Sequence, residues 1–227
     1  MIIQIYSFFI QLYLYFKYRI KSKGTIFRCK FEGLKYNYFE IKGYLAHTSL
    51  CLKGNHNHIS IKGKLLGCDI RVLGKNCKLI IEEGCKLQRT SIWLRGDKAE
   101  VIIGKETDIH PNARIVCQGN GNYIRIGKSC LLSSEVNVWN SDTHPIYNET
   151  GKIINPSKPI IIGSHVWIGR CVSIAKGVRV GQNSVIGMNT LVTKSVPNNV
   201  IVAGSPQRIL KEKITWDSSK IEEVNFE

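Results

Sequence analysis

The feature that most narrows what this chain can fold into is a repeat of six. Ile162, Ile168, Ile174, Val180, Ile186 and Val192 are branched aliphatics at a fixed step, and the residue after each, Gly163, Gly169, Ala175, Gly181, Gly187 and Thr193, is small. Four positions after each aliphatic stand Val166, Val172, Val178, Ser184, Thr190 and Val196, again small or β-branched. An amphipathic helix repeats at about 3.6 residues and a half-buried strand at about 2, so neither explains this beat. A step of six reads as one short strand and one turn per unit, with the aliphatic inside and the small residue letting the chain turn. Three units then close one coil of a triangular prism, and residues about 18 apart stack, joined by parallel backbone hydrogen bonds.

Upstream the pattern comes in shorter pieces. Ile126, Leu132 and Val138 keep the step, with Gly127, Cys130 and Val136 in the small slots; Ile103, Ile109 and Ile115 do likewise with Gly104, Thr107 and Ala113. Leu73 with Leu79, and Ile81 with Leu87, are weaker copies carrying Gly74, Cys77 and Cys85, and before about residue 40 the pattern is absent. The expected organisation is therefore mainly β. Residues 1–40 form an apolar and basic segment, helical at its start, and residues 41–204 form the parallel β-helix with a protruding loop over 139–159. Residues 205–227 form a cap and tail. In the cap, Pro197 and Pro206 are expected to stop the ladder, and a short helix is expected from Arg208 onward.

Eight cysteines without a CxxC pair argue against a zinc ribbon or a thioredoxin-like site, and several occupy small slots, as reduced core thiols of a cytoplasmic protein would. The first sixteen residues, MIIQIYSFFIQLYLYF, are apolar and aromatic and are followed by Lys17, Arg19, Lys21 and Lys23. The charges follow the apolar run, which excludes a secretory signal, and the run is short of the about 20 residues a spanning helix needs. Two readings stay open: an interfacial helix giving peripheral membrane contact through residues 1–23, or a helix packed on the main domain or a neighbouring subunit. The formal charge of +15 points to an anionic partner, a solvated basic surface being the plain alternative.

The repeat breaks once at length, between Val138 and Ile160, and a long loop inside a regular solenoid is usually functional. The break carries Trp139, Asn140, Ser141, Asp142 and His144 in WNSDTHPI, and the repeat resumes through HVWIG to VIVAGSPQRIL. On SDTHPI, HVWIG, the six-residue repeats and VIVAGSPQRIL, over roughly residues 100–213, the chain resembles the hexapeptide-repeat O-acetyltransferases of bacterial sugars and surface polysaccharides, which include those that acetylate sialic acid or polysialic acid capsules. The left-handed sense of the β-helix comes from that resemblance.

The resemblance implies acetyl-CoA as donor, a homotrimer with sites shared between subunits, and no metal. It gives His144 the role of general base. The chemistry agrees: a neutral imidazole takes the proton of a sugar hydroxyl as the new bond forms, worth roughly 10²–10⁴-fold, and a reference pKa of about 6.5 leaves imidazole mostly neutral at cytoplasmic pH. Asp142 is the candidate to fix the ring's tautomer, a backbone carbonyl being the alternative. Trp167 is expected at the site as an indole donor or a wall against water, and Trp139, Asn140 and Ser141 toward the acceptor sugar. A donor lying along the prism meets Trp167, Val185 and Ala203. Gly169 and Gly187 allow close approach, Pro206 lies beside them, and Lys194 and Arg208 are candidates for the phosphates. Direct transfer in a ternary complex is expected, without an acyl-enzyme on Cys171.

Other classes are weaker. A zinc site of the carbonic anhydrase type needs three convergent histidines. His47, His56, His58, His110, His144 and His165 do not recur at coil spacing. A nucleic-acid binder would suit the charge, but no helix-turn-helix, zinc-finger or aromatic RNA-binding signature is present. A non-catalytic scaffold has no need of SDTHPI. Within the acetyltransferases, basic charge and the amphipathic start favour an acidic or membrane-linked surface glycan over a small diffusible sugar or amino acid. The expected location is cytoplasmic, with peripheral contact at the inner face of the membrane as one of the two open readings of residues 1–23.

Overall fold

The computed structural model describes residues 21–219 together with Ser7, Phe9, Ile10, Leu12 and Tyr13. Among these residues the chain winds into three sheets of eight, ten and eight strands, parallel except for the last strand of the second, with each parallel strand pairing with the equivalent strand one coil away. This is the parallel β-helix expected from the repeat. Its interior is three aliphatic stacks. Ile41, Ile61, Ile81, Ile103, Ile126, Ile162 and Val180 lie in register in the first sheet. Leu45, Leu65, Leu87, Ile109, Leu132, Ile168, Ile186 and Val202 do so in the second. Leu50, Ile70, Ile92, Ile115, Val138, Ile174 and Val192 complete the third. All are essentially buried, and each contributes about 1.5–3 kcal/mol by leaving water.

Coil length changes along the prism, and this explains where the sequence rhythm fades. Partners are 20 residues apart at Ser49 and Asp69, 22 at Lys86 and Asp108, and 23 at Asp97 and Asn120. They are 18 apart only near His165 and Asn183, and 16 apart at Gln182 and Asn198. The extra residues are taken up at the corners, so the inward face stays in register while the count of six slips. Leu73 is the casualty: it points outward from strand Asp69–Leu73, and Ile70 and Val72 are the buried members.

The corners stack too. His165, Asn183 and Asn199 lie one above another with φ of 55°, 56° and 57°. Their N–H groups donate to Lys128, Ser164 and Gln182 carbonyls of the preceding coil. Asparagine tolerates this left-handed conformation because its short amide can bond locally, as where the Asn183 amide donates to Asn199 Oδ1 at 2.8 Å.

Both ends depart from expectation. Coiling begins at Lys21, not near residue 41: strands Lys21–Ser22, Thr25–Phe27 and Lys30–Glu32 already pair with the next coil. Ile26 fills the aliphatic position there, but around it stand residues such as Phe31 and Leu34 that do not follow the six-residue pattern. The described residues before it are helical, and the buried Ser7 hydroxyl accepts the Ile26 N–H at 3.0 Å, seating that helix on the first coil. Phe9 and Tyr13 face outward. The rest of the membrane-contact segment, residues 1–23, lies outside the described residues apart from Lys21, Ser22 and Lys23.

At the other end, Pro197 does not stop the ladder, because Val200–Ala203 still pairs in parallel with Val185–Ile186. No helix follows Arg208 among the described residues. The chain turns through Pro206 and returns as the antiparallel strand Arg208–Glu212, with a bulge at Ile201/Val202. That strand is exposed along its length and carries Arg208, Lys211 and Glu212, the kind of charged edge that discourages further pairing.

All eight cysteines are free. Five are buried, four in corner slots and Cys117 inside strand Arg114–Gln118, and burial pushes the Cys117 thiol up to about 12, Cys68 and Cys85 to about 11.

Candidate active site

The interruption leaves strand Asn137–Trp139 and returns at Ile160–Ile162. Its root is Asn140, which is fully buried. The Asn140 Oδ1 accepts the Gln118 N–H at 2.6 Å and its amide donates to the Gln118 carbonyl at 3.0 Å, so the side chain imitates a strand partner where the strand has ended. Asn140 thus anchors the loop and has no group left for the acceptor sugar. This corrects its assignment from sequence, which placed Asn140 toward the acceptor sugar.

Beyond the root the chain tightens around His144. Thr143 adopts φ 70° and its N–H donates to Ser141 Oγ. Asn155 then closes the loop. Its Nδ2 donates at 2.9 Å both to the Asp142 carboxylate and to the His144 carbonyl, while its Oδ1 accepts the Ile146 N–H at 2.7 Å. Lys176, from the next coil, donates to the Asp142 carboxylate and to the Asn155 carbonyl. Hydrogen bonds from Lys176 and then Asn155 hold the Asp142 carboxyl below its usual range. Past His144 a hairpin with Tyr147 opposite Ile153 projects outward, its turn held by the Asn148 side chain.

The imidazole of His144 is exposed and makes no hydrogen bond among the described residues. Asp142 does not orient the ring as sequence suggested; it is occupied by Asn155 and Lys176 and fixes the backbone on which the ring is mounted. Trp139, Ser141 and Asp142 do come together. With Asn137, Ser173, Ala175, Lys176 and Leu191 they line a cavity of about 270 Å³ on the third sheet.

Trp167 stands elsewhere, on the outer face of the second sheet, 40% exposed, with Val185 next to it in register. The stack does not continue to Ala203. The last coil is shorter, so Ile201 pairs with Val185, and Ala203 lies over Gly187. The two glycines are explained by coil packing: a Cβ at Gly169 would sit 2.7 Å from Met188 N, and one at Gly187 2.8 Å from Ala203 Cβ. Lys194 and the Pro206–Arg208 turn are brought together by Gln207, whose side chain accepts the Thr193 N–H and donates to the Lys194 carbonyl, each at 2.7 Å. Neither Lys194 nor Arg208 has an acidic partner among the described residues, so this corner is a free cationic edge suited to phosphates.

Three residues at these places were missed in the sequence. Asn155 and Lys176 carry no motif of their own, since their role rests on contacts across 13 and 34 positions to Asp142. Trp216 lies in the polar tail. It stacks on His165 at 4.4 Å, donates its indole N–H to the His165 carbonyl at 2.8 Å, and leans on Trp167 at 5.9 Å. A tryptophan in a tail of charged and polar residues was the available signal.

Cys171 is not an activated nucleophile. Its thiol donates to the Glu135 carboxylate at 2.9 Å, and this bond, more than burial, raises its pKa despite the Arg170–Glu135 pair beside it.

Comparison with known proteins agrees with this fold. The family described as bacterial transferase hexapeptide (six repeats) matches residues 159–194. A polysialic acid O-acetyltransferase of Escherichia coli O1:K1 / APEC is 38% identical over 60% of this chain and 43% of its own length. Another, of Neisseria meningitidis, is 35% identical over 55% of this chain and 68% of its own length. The chain therefore spans less than half of the first of these relatives and about two thirds of the second. The crystal structure of the polySia-specific acetyltransferase NeuO superposes with a TM-score of 0.68 at 32% identity, covering 90% of this chain and 91% of that one. A fold shared over nine tenths of both chains, with the repeat and the interrupting loop in place, assigns the protein: it belongs to the hexapeptide-repeat O-acetyltransferase family.

Proposed function

We propose that this protein transfers an acetyl group from acetyl-CoA to a hydroxyl of a bacterial surface polysaccharide, an acidic glycan of the polysialic acid kind, in a ternary complex with His144 as general base. The observation that carries this reading is the His144 loop. The chain's one large interruption is clasped by Asn155, Asp142 and Lys176 onto the rigid prism, and it presents an imidazole with no hydrogen-bond partner among the described residues. A side chain held in position but left unbonded is what a general base in the free enzyme requires.

His144 takes the acceptor hydroxyl proton as that oxygen attacks the thioester carbonyl, and returns it to the sulfur that leaves. Among the described residues the indole N–H of Trp167 makes no hydrogen bond, and it suits the negative charge that develops on the carbonyl oxygen. The cationic corner of Lys194 and Arg208 suits the phosphates of the donor. His144 and Trp167 belong to different faces of one prism, and no contact joins them among the described residues. We therefore read the active site as shared between neighbouring copies of a homotrimer, the loop of one facing the second sheet of the next. Exposed Met188, Leu191 and Leu210 near the C-terminal coils supply apolar surface for such packing. The outward aromatics Phe9 and Tyr13 agree with a cytoplasmic enzyme held at the inner membrane face.

The test is calorimetric titration with acetyl-CoA, wild type beside His144→Ala, followed by a thiol-release assay with polysialic acid. The reading expects saturable binding in both proteins and thiol release only in the wild type. Absence of binding at millimolar acetyl-CoA would sink donor and reaction together.

A further inference from the structure

The tail after strand Arg208–Glu212 is tied down at a place where chain ends ordinarily fray. Three consecutive residues, Ile214, Thr215 and Trp216, are bonded to the corner that stacks His165, Asn183 and Asn199. The Ile214 N–H donates to the Asn199 carbonyl at 3.0 Å, and the Ile214 carbonyl accepts the Asn183 side-chain amide, also at 3.0 Å. The Thr215 hydroxyl donates to Asn183 Oδ1 at 3.1 Å. That oxygen also meets His165 Nδ1 at 2.9 Å, so the imidazole carries its proton on Nδ1. Trp216 comes next. Its ring lies within 8° of parallel to the His165 imidazole, and its indole N–H donates to the His165 carbonyl. The side-chain bonds span 31 to 51 positions of sequence, so no local turn accounts for them.

What this strap delivers is a ring against Trp167. The two indoles meet at 5.9 Å with their planes tilted by 42°, and aromatic pairs favour offset or tilted contacts over a flat sandwich. Trp167 stands on a two-residue strand, faces outward and is 40% exposed. Leu131 and Val185 flank it along the sheet, one coil to either side. Trp216, seated on a residue two positions before Trp167 in the chain, bounds it in the other direction. Trp216 and His165 also line an open cavity of about 510 Å³ with Lys86, Asp108, Ser129 and Leu131. Trp216 therefore stands at the border of accessible space, not in packed interior. An exposed side chain has rotamer freedom to lose, and a donor acts on a developing charge to the extent that it is already in place.

We propose that Trp216 is a positioning residue for acetyl transfer: strapped to the His165–Asn183–Asn199 corner, it fixes the orientation in which Trp167 meets the thioester carbonyl. The proposal rests on the reading of Trp167 as the donor to that carbonyl oxygen.

The first readout needs no turnover. Full-length protein labelled with fluorotryptophan gives fluorine NMR signals from Trp93, Trp139, Trp167 and Trp216, assigned by substitution. In the wild type the Trp167 signal should be sharp and should move on addition of acetyl-CoA. Trp216→Ala should shift and broaden the Trp167 signal while leaving those of Trp93 and Trp139 in place; Trp216→Phe, which keeps a ring on His165, should largely restore it. Both variants should keep the wild-type melting curve, since the strap lies on the prism surface. A Trp167 signal indifferent to Trp216→Ala would overturn the proposal.

The second readout is thiol release with acetyl-CoA and polysialic acid. Trp216→Ala should lower kcat about 10-fold, leave both KM values unchanged and be rescued in large part by Trp216→Phe. A rise in the acceptor KM with kcat intact would overturn positioning and make Trp216 a sugar-contacting residue. A wild-type Trp167 signal that ignores acetyl-CoA would remove Trp167 from the donor site, and the positioning role would then fall with that reading and not with the contact.

Discussion

Asn155 donates one amide nitrogen to the carbonyl of His144 and to the carboxylate of Asp142, both at 2.9 Å, across 11 and 13 residues of chain. The candidate base is therefore held through its backbone, not its ring. Asn155→Ala should release the loop while leaving the prism whole. Since small misplacements of a catalytic group are expensive, kcat for acetyl transfer is expected to fall about 10- to 100-fold. The melting curve should barely move, because exposed loop bonds contribute about 1 kcal/mol or less. Parallel kinetics and thermal melts check this; a large loss of stability would recast Asn155 as a structural residue.

The same clasp predicts a pH response. Lys176 and Asn155 lower the Asp142 pKa below its ordinary value of 3.8. A carboxyl whose folded pKa is depressed contributes stability that is present above the unfolded value and lost as pH falls through the folded one. The clasp should thus hold through the neutral range and open only under acid below about pH 3.8. The Asn155 side-chain amide resonances followed by NMR from pH 7 to pH 2 report this directly. A change in those signals between pH 5 and 7 would mean that Asp142 is not held by Lys176 in solution.

The three aliphatic stacks make a different kind of prediction. Ile103 lies between Ile81 and Ile126 in the first sheet and is fully buried. Ile103→Ala should cost about 2–5 kcal/mol, because neighbours on either coil are fixed by backbone pairing and relax little into the cavity. Chemical denaturation measures it. Leu73→Ala, on the outward face of the same prism, should cost far less despite the equal loss of side chain.

Leu73 also shows why the fold was legible in part. Where coils hold 18 residues, around His165 and Asn183, three strands and three corners fit six residues each and the repeat is visible. Where they hold 20 to 23, the corners absorb the surplus and the step of six loses phase, although Ile70 and Ile92 are as buried as Ile168. The first coil, from Lys21, escaped notice for the same reason. His144, Trp139 and Ser141 became candidates because polar and aromatic residues sat at a break in a regular pattern, and Trp167 became one through the family resemblance. Asn155, Lys176 and Trp216 did not, because each is placed by a neighbour brought in by coiling. Asn140 was misjudged because a polar residue in a polar run gives no hint that the chain will bury it under a backbone partner.

The separation of His144 and Trp167 on one prism leads to the sharpest test of the shared site. If each site draws its base from one subunit and its indole from the next, neither His144→Ala nor Trp167→Ala alone retains a complete site. Co-expressed with different tags and purified as mixed assemblies, the two variants regain some. At equal expression and random mixing in a three-fold ring, half the loops and half the facing sheets are intact, so about a quarter of the sites are whole. Thiol release should return to about a quarter of the wild-type rate, scaled for tag selection. If both residues serve the same site from one chain, every site in the mixture stays damaged and the rate remains the mean of the two single variants. That outcome would place the active site within a single prism and require the loop to move toward the second sheet.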